Sequence, residues 1–271
     1  MPELPEVETT RRGVAAHLVG KRLLGAEVRN PKLRQPVPAD LTARLAGVRV
    51  RAVERRAKYL LVRWQEDSLL LHLGMSGSLR IVRDREAPGR HDHFDLLLPR
   101  QLRLRYRDPR RFGLALLAGA RPELHPLLRG LGPEPLEPGF SGETFVQAFR
   151  GRRASVKQLL LDGGIVAGVG NIYACEALFL ARVRPSTPAG RLSAARCGRL
   201  ATAVREVLQH AVDVGGTTLR DFVGAEGEPG YFQHELAVYG RAGLPCRACG
   251  GPIQVKRLGQ RSTFSCGRCQ R

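Results

Sequence analysis

Residues 246–269 read CRACGGPIQVKRLGQRSTFSCGRC and contain four of the six cysteines of the 271-residue chain. Two residues separate Cys246 from Cys249, two separate Cys266 from Cys269, and sixteen lie between the pairs. This spacing is typical of a four-cysteine zinc site, in which each pair of thiolates reaches one ion. We therefore predict one structural zinc ion as the cofactor.

The residues between the cysteine pairs predict a β-hairpin. PIQVK and RSTF have the composition of short strands, and residues 258–260 lie between them. About 25 residues cannot bury a core of their own, so zinc should supply most of the folding free energy. Lys256, Arg257 and Arg261 crowd around the turn, which favours a nucleic-acid contact over a purely stabilising role.

Upstream of this zinc module the sequence predicts a helical domain. Ser155 and Gln158 have the spacing of a capping box, and Cys175 and Cys197 stand alone as expected buried thiols. Gly168 to Asn171 precede a helix, where backbone amides and an asparagine cap could face a phosphate. The expected helices span 141–150, 155–162, 172–183 and 193–214.

Nearer the N-terminus the sequence predicts one helix, at 5–18, followed by β-structure. Short β-like runs separated by Gly, Pro and Asp turns fill 22–117, which favours an antiparallel sandwich or barrel. In QLRLRYR, at 101–107, arginines alternate with apolar residues, and this basic face fits either phosphate binding or a solvated surface. The fold class is therefore α+β, with an N-terminal β-sandwich and flanking helices, a helical domain and a zinc-bound hairpin.

Composition adds a constraint on partners. Lys and Arg number 44 against 25 Asp and Glu, a formal net charge of +19, which makes a polyanion the first candidate partner. Only five basic residues are lysine, so part of the excess can reflect genome composition. There is no run of 18 apolar residues and no signal-peptide pattern, so we expect an intracellular protein without a membrane partner.

The N-terminus carries a further chemical possibility. Pro2 is small enough for removal of the initiator methionine, which would leave a secondary amine that can attack a sugar C1′ and form an iminium. Glu3 and Glu6 lie close by in sequence and could manage the protons. From these residues alone, a frayed terminus without function is the simpler interpretation.

Seven segments, of which the zinc module is one, give the chain a specific resemblance. Together they resemble bacterial formamidopyrimidine-DNA glycosylases, and the likeness runs from the first residue to Cys269. The six other segments are MPELPEVETTRRG at 1–13, AKYLL at 57–61, HLGMSGSLR at 72–80, HDHFD at 91–95, DPRRFG at 108–113 and GVGNIYACEALF at 168–179.

The resemblance implies a bifunctional base-excision repair enzyme. It would excise oxidised purines, chiefly 8-oxoguanine and formamidopyrimidines, from duplex DNA and then nick the strand by β,δ-elimination. Pro2 corresponds to the nucleophile that forms the Schiff base, and Glu3 to the acid/base. Lys58 matches the lysine assigned to β-elimination, and Arg261 matches the arginine assigned to δ-elimination.

The resemblance also implies DNA contacts. Met75, Arg110 and Phe112 match an intercalating triad in which the arginine faces the orphaned cytosine. His91 also matches a DNA contact, although His91 and His93 alone would allow a metal site. The remaining implied or plausible DNA contacts are His72, Arg152, Lys157 and Asn171.

The expected organisation is three-part. We expect a catalytic β-sandwich domain at 1–130, a helix-two-turn-helix domain at 131–225 and a four-cysteine zinc finger at 237–271, with the duplex between the first domain and the others. The residues at 217–239 should cover the extruded base. The expected protein is a monomer that acts on damaged double-stranded DNA in the bacterial cytoplasm, at the nucleoid.

Two alternatives remain open. The sister endonuclease VIII branch favours oxidised pyrimidines, although the N-terminal motif and the turn at 110–112 resemble the purine branch. A non-catalytic, DNA-binding zinc protein is the alternative from another class.

Overall fold

The computed structural model describes residues 2–216 and 235–271. The described chain forms two compact units. The first contains residues 2–129 with 214–216, and the second contains 130–213 with 235–271. The segment expected to cover an extruded base, 217–239, lies mostly outside the described residues.

The first unit is a β-sandwich with helix α1 (Leu4–Leu18) packed against it. Its strands form two antiparallel four-stranded sheets, in the orders β1-β6-β7-β5 and β2-β3-β4-β8. Apolar side chains from both sheets and from α1 form one buried cluster, in which Phe94 stacks on Tyr106 at 4.8 Å between ring centroids. The strands are β1 Gly25–Val28, β2 Ala52–Arg56, β3 Tyr59–Arg63, β4 Ser68–His72, β5 Ser78–Arg83, β6 Asp92–Leu98, β7 Leu102–Arg107 and β8 Leu114–Leu117.

The sandwich is confirmed, and one short helix was not predicted. Helix α2 (Leu41–Leu45) lies between β1 and β2 and buries Leu41 and Leu45 completely. Five residues show too little of a helical period to be recognised in sequence, so this helix depends on burial of its two leucines against the sandwich.

Two arginines on the basic face of β7 are engaged in ion pairs with carboxylates. The Arg105 guanidinium, 3% exposed, donates to the fully buried Asp95 carboxylate at 3.0 and 3.1 Å. Burial opposes ionisation of Asp95, but the bonds from Arg29 and Arg105 outweigh it and hold the pKa of Asp95 below its usual value. Arg103 pairs with Glu27 and Asp84. The alternation therefore encodes an ion-pair network on the sheet.

The second unit is helical and carries the zinc module. Its helices are α3 Gly142–Phe149, α4 Val156–Leu160, α5 Asn171–Leu180 and α6 Ala194–Asp213, each within a few residues of its predicted bounds. The Ser155–Gln158 capping box at the start of α4 is confirmed, and Cys175 and Cys197 are buried. Among the described residues, no helix is long and apolar enough to span a membrane.

Candidate active site and zinc centre

The four predicted zinc ligands come together. Their Sγ atoms all lie within 4.8 Å of one another, with Cys246 and Cys269 at 3.9 Å and Cys249 and Cys266 at 3.5 Å. A tetrahedral ion with Zn–S bonds of about 2.3 Å requires S···S separations of about 3.8 Å. Four thiolates at this spacing fit one zinc ion, and they form the zinc site of the protein.

The chain between the cysteine pairs is the predicted hairpin, with a slightly tighter turn. Strands β9 (Ile253–Leu258) and β10 (Arg261–Cys266) pair antiparallel, and Leu258 lies opposite Arg261. Only Gly259 and Gln260 form the turn, with φ of 53° and 63°, as a two-residue turn with the twist of a hairpin requires. Arg261 is therefore the first residue after the turn, and it is exposed.

Lys157 and Asn171 donate hydrogen bonds to the backbone of this hairpin. Lys157 is 1% exposed, and its Nζ donates to the Ser262 carbonyl at 3.0 Å and to Thr263 Oγ1 at 2.6 Å. Asn171 Nδ2 donates to the same Ser262 carbonyl at 3.0 Å. Both side chains therefore support the hairpin backbone, and their contact with DNA stays a prediction. In addition Gly170, not Asn171, is the N-cap of α5.

A carboxylate that the sequence did not single out fixes the entry to the zinc module. Glu176 on α5 is 5% exposed and accepts hydrogen bonds from the backbone amides of 237–239 at 2.8 to 3.0 Å. Burial raises the pKa of Glu176, and the three amide bonds oppose that rise. Cys175 and Phe179 of the same helix pack against the cysteine cluster. The module thus rests on α5 as well as on its metal.

Pro2 and Glu3 lie at the buried start of α1. Pro2 is buried and Glu3 is 2% exposed, and Glu3 is the N-cap of the helix. The Glu3 amide donates to Glu6 Oε2 at 2.8 Å, as part of a capping box that joins the two glutamates. The terminus is therefore ordered from Pro2 onward, in contrast to the simpler interpretation of a frayed end.

Lys58 occupies the tip of a second two-residue hairpin. Arg56 pairs with Tyr59 across β2 and β3, which leaves Ala57 and Lys58 in the turn, with Ala57 at φ 52°. The largely buried Arg55 donates to the Ala57 carbonyl at 3.1 Å and to Glu8 Oε2 of α1 at 3.2 Å. The turn that carries Lys58 is thereby tied to the helix that begins beside Pro2.

His72 lies at the end of β4 and is a neutral hydrogen-bonding group. Its Nδ1 accepts the Gly74 amide at 2.9 Å, so the ring proton is on Nε2. Burial first, and then the positive charges of Lys58 and Arg34, lower the pKa of His72 to about 4. Arg34 was not predicted, and only the basic loop NPKLRQP at 30–36 hints at it. Together with Lys58 it makes this patch electropositive.

Two adjacent turns carry the three residues of the expected wedge. Met75 is half-buried in the turn after β4, whereas Arg110 and Phe112 are exposed in the turn after β7. The Arg110 guanidinium lies 4.9 Å from the Phe112 ring centroid, a cation–π distance. Phe112 is 45% exposed, an apolar ring in solvent beside the Arg110 cation.

The other predicted contacts differ in accessibility. Arg152 is exposed after α3, and His91 is half-buried before β6. His93 is 2% exposed, and its Nε2 lies 2.7 Å from the Asp108 carbonyl. A bulge between Asp92 and Phe94 breaks the strict alternation that would place both histidines on one face. His93 is therefore a buried hydrogen-bonding residue, whereas the ring of His91 is partly accessible to solvent.

The fold and these sites define a class of protein: a β-sandwich with an ordered N-terminal proline, a helical unit and a four-cysteine zinc hairpin. Three family descriptions match the chain: the formamidopyrimidine-DNA glycosylase N-terminal domain at 1–115, the formamidopyrimidine-DNA glycosylase H2TH domain at 131–223, and the zinc finger found in FPG and IleRS at 243–271. The chain belongs to the formamidopyrimidine-DNA glycosylase family.

Individual relatives are similar over their whole length. The formamidopyrimidine-DNA glycosylase of Methylococcus capsulatus is 54% identical over 271 residues, covering 100% of both chains. A Lactococcus lactis FPG mutant bound to Fapy-dG containing DNA superposes with a TM-score of 0.93 at 33% identity, covering 100% of both chains. The Lactococcus lactis Fpg complex with an abasic site containing DNA gives 0.92 at 33% identity, again with full coverage.

Proposed function

We propose that the chain is a DNA glycosylase and AP lyase of base-excision repair that removes 8-oxoguanine and formamidopyrimidines from duplex DNA. The observation that carries the proposal is the buried Pro2–Glu3 pair at the start of α1, in a chain that belongs to this family throughout its length. The relatives crystallised with Fapy-dG and abasic-site DNA support this substrate class.

The proposed reaction starts at the nitrogen of Pro2 once the initiator methionine is removed. The secondary amine attacks C1′ of the damaged nucleotide, the bond from C1′ to the base breaks, and the base leaves with a proton. Glu3 supplies and accepts the protons as the sugar ring opens. The resulting iminium withdraws electrons from C2′, so loss of a C2′ proton breaks the bond from C3′ to the 3′ phosphate. Loss of a C4′ proton, conjugated with the iminium, then breaks the bond from C5′ to the 5′ phosphate.

Lys58 and Arg261 are the proposed cations of the two eliminations. Each stands at the turn of a hairpin, where its charge can be directed at a departing phosphate. His72 is proposed to bind a phosphate through the Nε2 proton of a neutral ring, next to Lys58 and Arg34. Arg152 and His91 are proposed as further backbone contacts.

Met75, Arg110 and Phe112 are the proposed wedge. A base in duplex DNA must leave the stack to be excised, and a side chain has to fill the gap. The exposed Phe112 ring and the half-buried Met75 supply apolar surface, and Arg110 supplies donors for the acceptors of the orphaned cytosine. Asn171 and Lys157 act in this proposal through the hairpin backbone that they hold.

The proposed organisation keeps three parts: 1–130, 131–225 and 237–271. The protein is proposed to act as a monomer on damaged duplex DNA in the bacterial cytoplasm, at the nucleoid. Sedimentation in the presence and absence of a lesion duplex tests the monomer.

Borohydride trapping tests the reaction. With 8-oxoguanine opposite cytosine, the wild-type protein should form a covalent adduct through Pro2, located by mass spectrometry of the adduct peptide. Glu3→Gln should reduce base excision about 10²- to 10⁴-fold, the range of general acid–base catalysis, and retain duplex affinity. The control Glu66→Gln makes the same chemical change at an exposed site of the same unit and should trap normally.

Three results would contradict this function. An adduct that forms at a lysine, with the Pro2 nitrogen unmodified, would remove Pro2 from the mechanism. Faster excision of an oxidised pyrimidine than of 8-oxoguanine would place the chain with the endonuclease VIII branch. Binding to duplex without any adduct would indicate a non-catalytic protein.

A further inference from the structure

The turns that carry Met75 and Arg110 are packed backbone to backbone. A Cβ on Gly74, which has φ +60°, would lie 2.5 Å from the Phe112 carbonyl carbon and 2.6 Å from the Gly113 nitrogen. A Cβ on Gly113 would lie 2.5 Å from the His72 carbonyl oxygen and 1.6 Å from the Tyr106 hydroxyl. No side chain fits between the turns, so a displacement of either one pushes on the other.

The Asp108 carboxylate links the same two turns by hydrogen bonds. It is fully buried. Its Oδ1 accepts the Ser76 hydroxyl at 2.7 Å, from the first turn, and the Arg110 amide at 3.2 Å, from the second. Its Oδ2 accepts the Gly113 amide at 2.9 Å. One side chain therefore fixes both ends of the second turn to the first.

The Asp108 carboxylate with its bonds to the two turns, called the clamp below, is connected to both sheets of the sandwich. The Asp108 carbonyl lies 2.7 Å from His93 Nε2, and its amide donates to the His91 carbonyl at 3.0 Å. Beside it, the Tyr106 hydroxyl donates to the His72 carbonyl at 3.0 Å, which joins β7 of one sheet to β4 of the other. Asp108 is therefore held in place by the core and can transmit that rigidity to the turns.

We propose that Asp108 and Ser76 are positioning residues that join the two turns into one rigid wedge and thereby set the discrimination of the base opposite the lesion. The proposal rests on the proposed function, because the wedge is what they position. Arg110 can distinguish cytosine from adenine only if its donors are held at hydrogen-bond distance and angle. A turn that is free to shift would let it adapt to either base.

The test compares two substitutions with two matched controls. Asp108→Asn keeps the shape but replaces one acceptor by an amide group facing N–H or O–H donors. Ser76→Ala removes the two bonds that this hydroxyl makes to the second turn, one donated to Asp108 Oδ1 at 2.7 Å and one accepted from the Arg110 amide at 3.2 Å. The controls are Asp92→Asn, a largely buried aspartate of the same sheet that binds the Gly89 amide, and Ser78→Ala, a serine exposed to the same 7% two residues along.

The first readout is the ratio of 8-oxoguanine excision rates opposite cytosine and opposite adenine. Loss of one hydrogen bond worth about 1 kcal/mol corresponds to about a fivefold change, so the ratio should fall by about fivefold or more in Asp108→Asn and in Ser76→Ala. Both controls should keep the wild-type ratio. A merely structural role would lower both rates together and leave the ratio unchanged.

The second readout needs no chemistry. A 2-aminopurine next to the lesion becomes brighter when a wedge unstacks it, and this rise at saturating protein should be smaller in Asp108→Asn and Ser76→Ala than in the controls. An unchanged ratio and an unchanged rise in folded Asp108→Asn would overturn the proposal. If Asp108→Asn does not fold, an unchanged ratio and an unchanged fluorescence rise in Ser76→Ala would overturn the proposal instead.

Failure of the proposed function is seen separately. Borohydride trapping on a single-stranded abasic oligonucleotide has no opposite base to recognise, so it reports the Pro2 reaction without the discrimination. Absence of trapping by the wild type overturns the proposed function, whereas the fluorescence comparison still decides for or against the clamp.

Discussion

The β2–β3 and β9–β10 hairpins have the same kind of tip and different supports. Each has a two-residue turn containing a non-glycine residue at positive φ, Ala57 in one and Gln260 in the other. Each places a proposed catalytic cation at the turn, Lys58 or Arg261. The first hairpin belongs to a four-stranded sheet over the apolar core, whereas the second is a two-stranded sheet.

The difference shows that a two-residue turn does not determine what holds the tip of its hairpin in place. The β2–β3 tip is fixed by the sheet, and by Arg55 between Glu8 and the Ala57 carbonyl. The β9–β10 hairpin buries few of its side chains, and depends on the zinc ligands at its base and on Lys157 beneath Ser262. A cation can thus be positioned with or without a core, provided that metal and buried polar contacts replace the missing apolar area.

Zinc removal should separate the two hairpins most sharply. Structural zinc contributes on the order of 10 kcal/mol or more of apparent binding free energy at neutral pH, so a chelator should abolish amide-exchange protection in β9 and β10 and leave it intact in β2 and β3. Cys249→Ser should act like the chelator, whereas the control Cys197→Ser, outside the cluster, should bind zinc normally. Protected β9 and β10 amides in the zinc-free protein would refute this dependence.

Loss of Arg55 should be the next largest effect. Arg55→Met leaves the Ala57 carbonyl without its guanidinium partner and removes one cation from Glu8, whose pKa Arg11, Arg55 and Arg12 hold below normal against the opposing effect of burial. Arg11 and Arg12 still neutralise Glu8, so we expect about 2 kcal/mol of destabilisation by urea unfolding, from the lost hydrogen bonds of the guanidinium. The matched change on the other hairpin, Arg257→Met, is exposed and should stay within about 0.5 kcal/mol. Similar losses from both would remove the proposed difference in support.

The first hairpin should also respond to pH through its neighbour His72. Its pKa is about 4 when folded, against 6.5 as the ordinary value, so between these pH values the unfolded chain binds a proton that the folded chain does not. Stability should therefore fall as the pH is lowered through this window. His72→Asn keeps an acceptor for the Gly74 amide without titrating, and should lose less stability than the wild type between about pH 7 and about pH 5. Equal losses in both proteins would exclude this linkage.

Glycine at the two turns should give the smallest effects. Gln260→Gly removes the steric cost of a left-handed backbone conformation, about 1 kcal/mol. The affinity for zinc should therefore rise a few-fold. Ala57→Gly removes the same strain, but Ala57 is 3% exposed, and loss of its buried methyl offsets the gain by about 0.8 kcal/mol. Urea unfolding should detect almost no change. Equal stabilisation at both turns would mean that burial of Ala57 is unimportant.

Most of the fold could be predicted because it depends on local patterns. The Ser155–Gln158 capping box and the paired cysteine spacing are visible within a few residues, and the structure confirms both. Helix α2 was missed because five residues carry too little periodicity. The ion pairs of Arg103 and Arg105 could not be predicted, because their partners Glu27 and Asp95 lie on other strands.

The sites follow the same division. Pro2, Glu3, Lys58 and Arg261 could be proposed as site residues because each falls in a segment that resembles the family. That Lys157 is buried under the hairpin could not, because Ser262 and Thr263 lie more than 100 residues away. Asp108 stands in a recognised motif, but its bond to Ser76, 32 residues away, has no sequence signature.

By itself, the sequence determined the class of fold, the four zinc ligands and the residue types available for chemistry, since spacing and periodicity are properties of neighbours in the chain. Only the tertiary structure decided which cations are exposed and which are neutralised. Arg105 and Lys157 are basic residues in sequence, but they are bound to buried acceptors, whereas Arg110 and Arg261 are exposed. The physical reason is that burial and hydrogen-bond partners are set by segments that meet only when the chain folds.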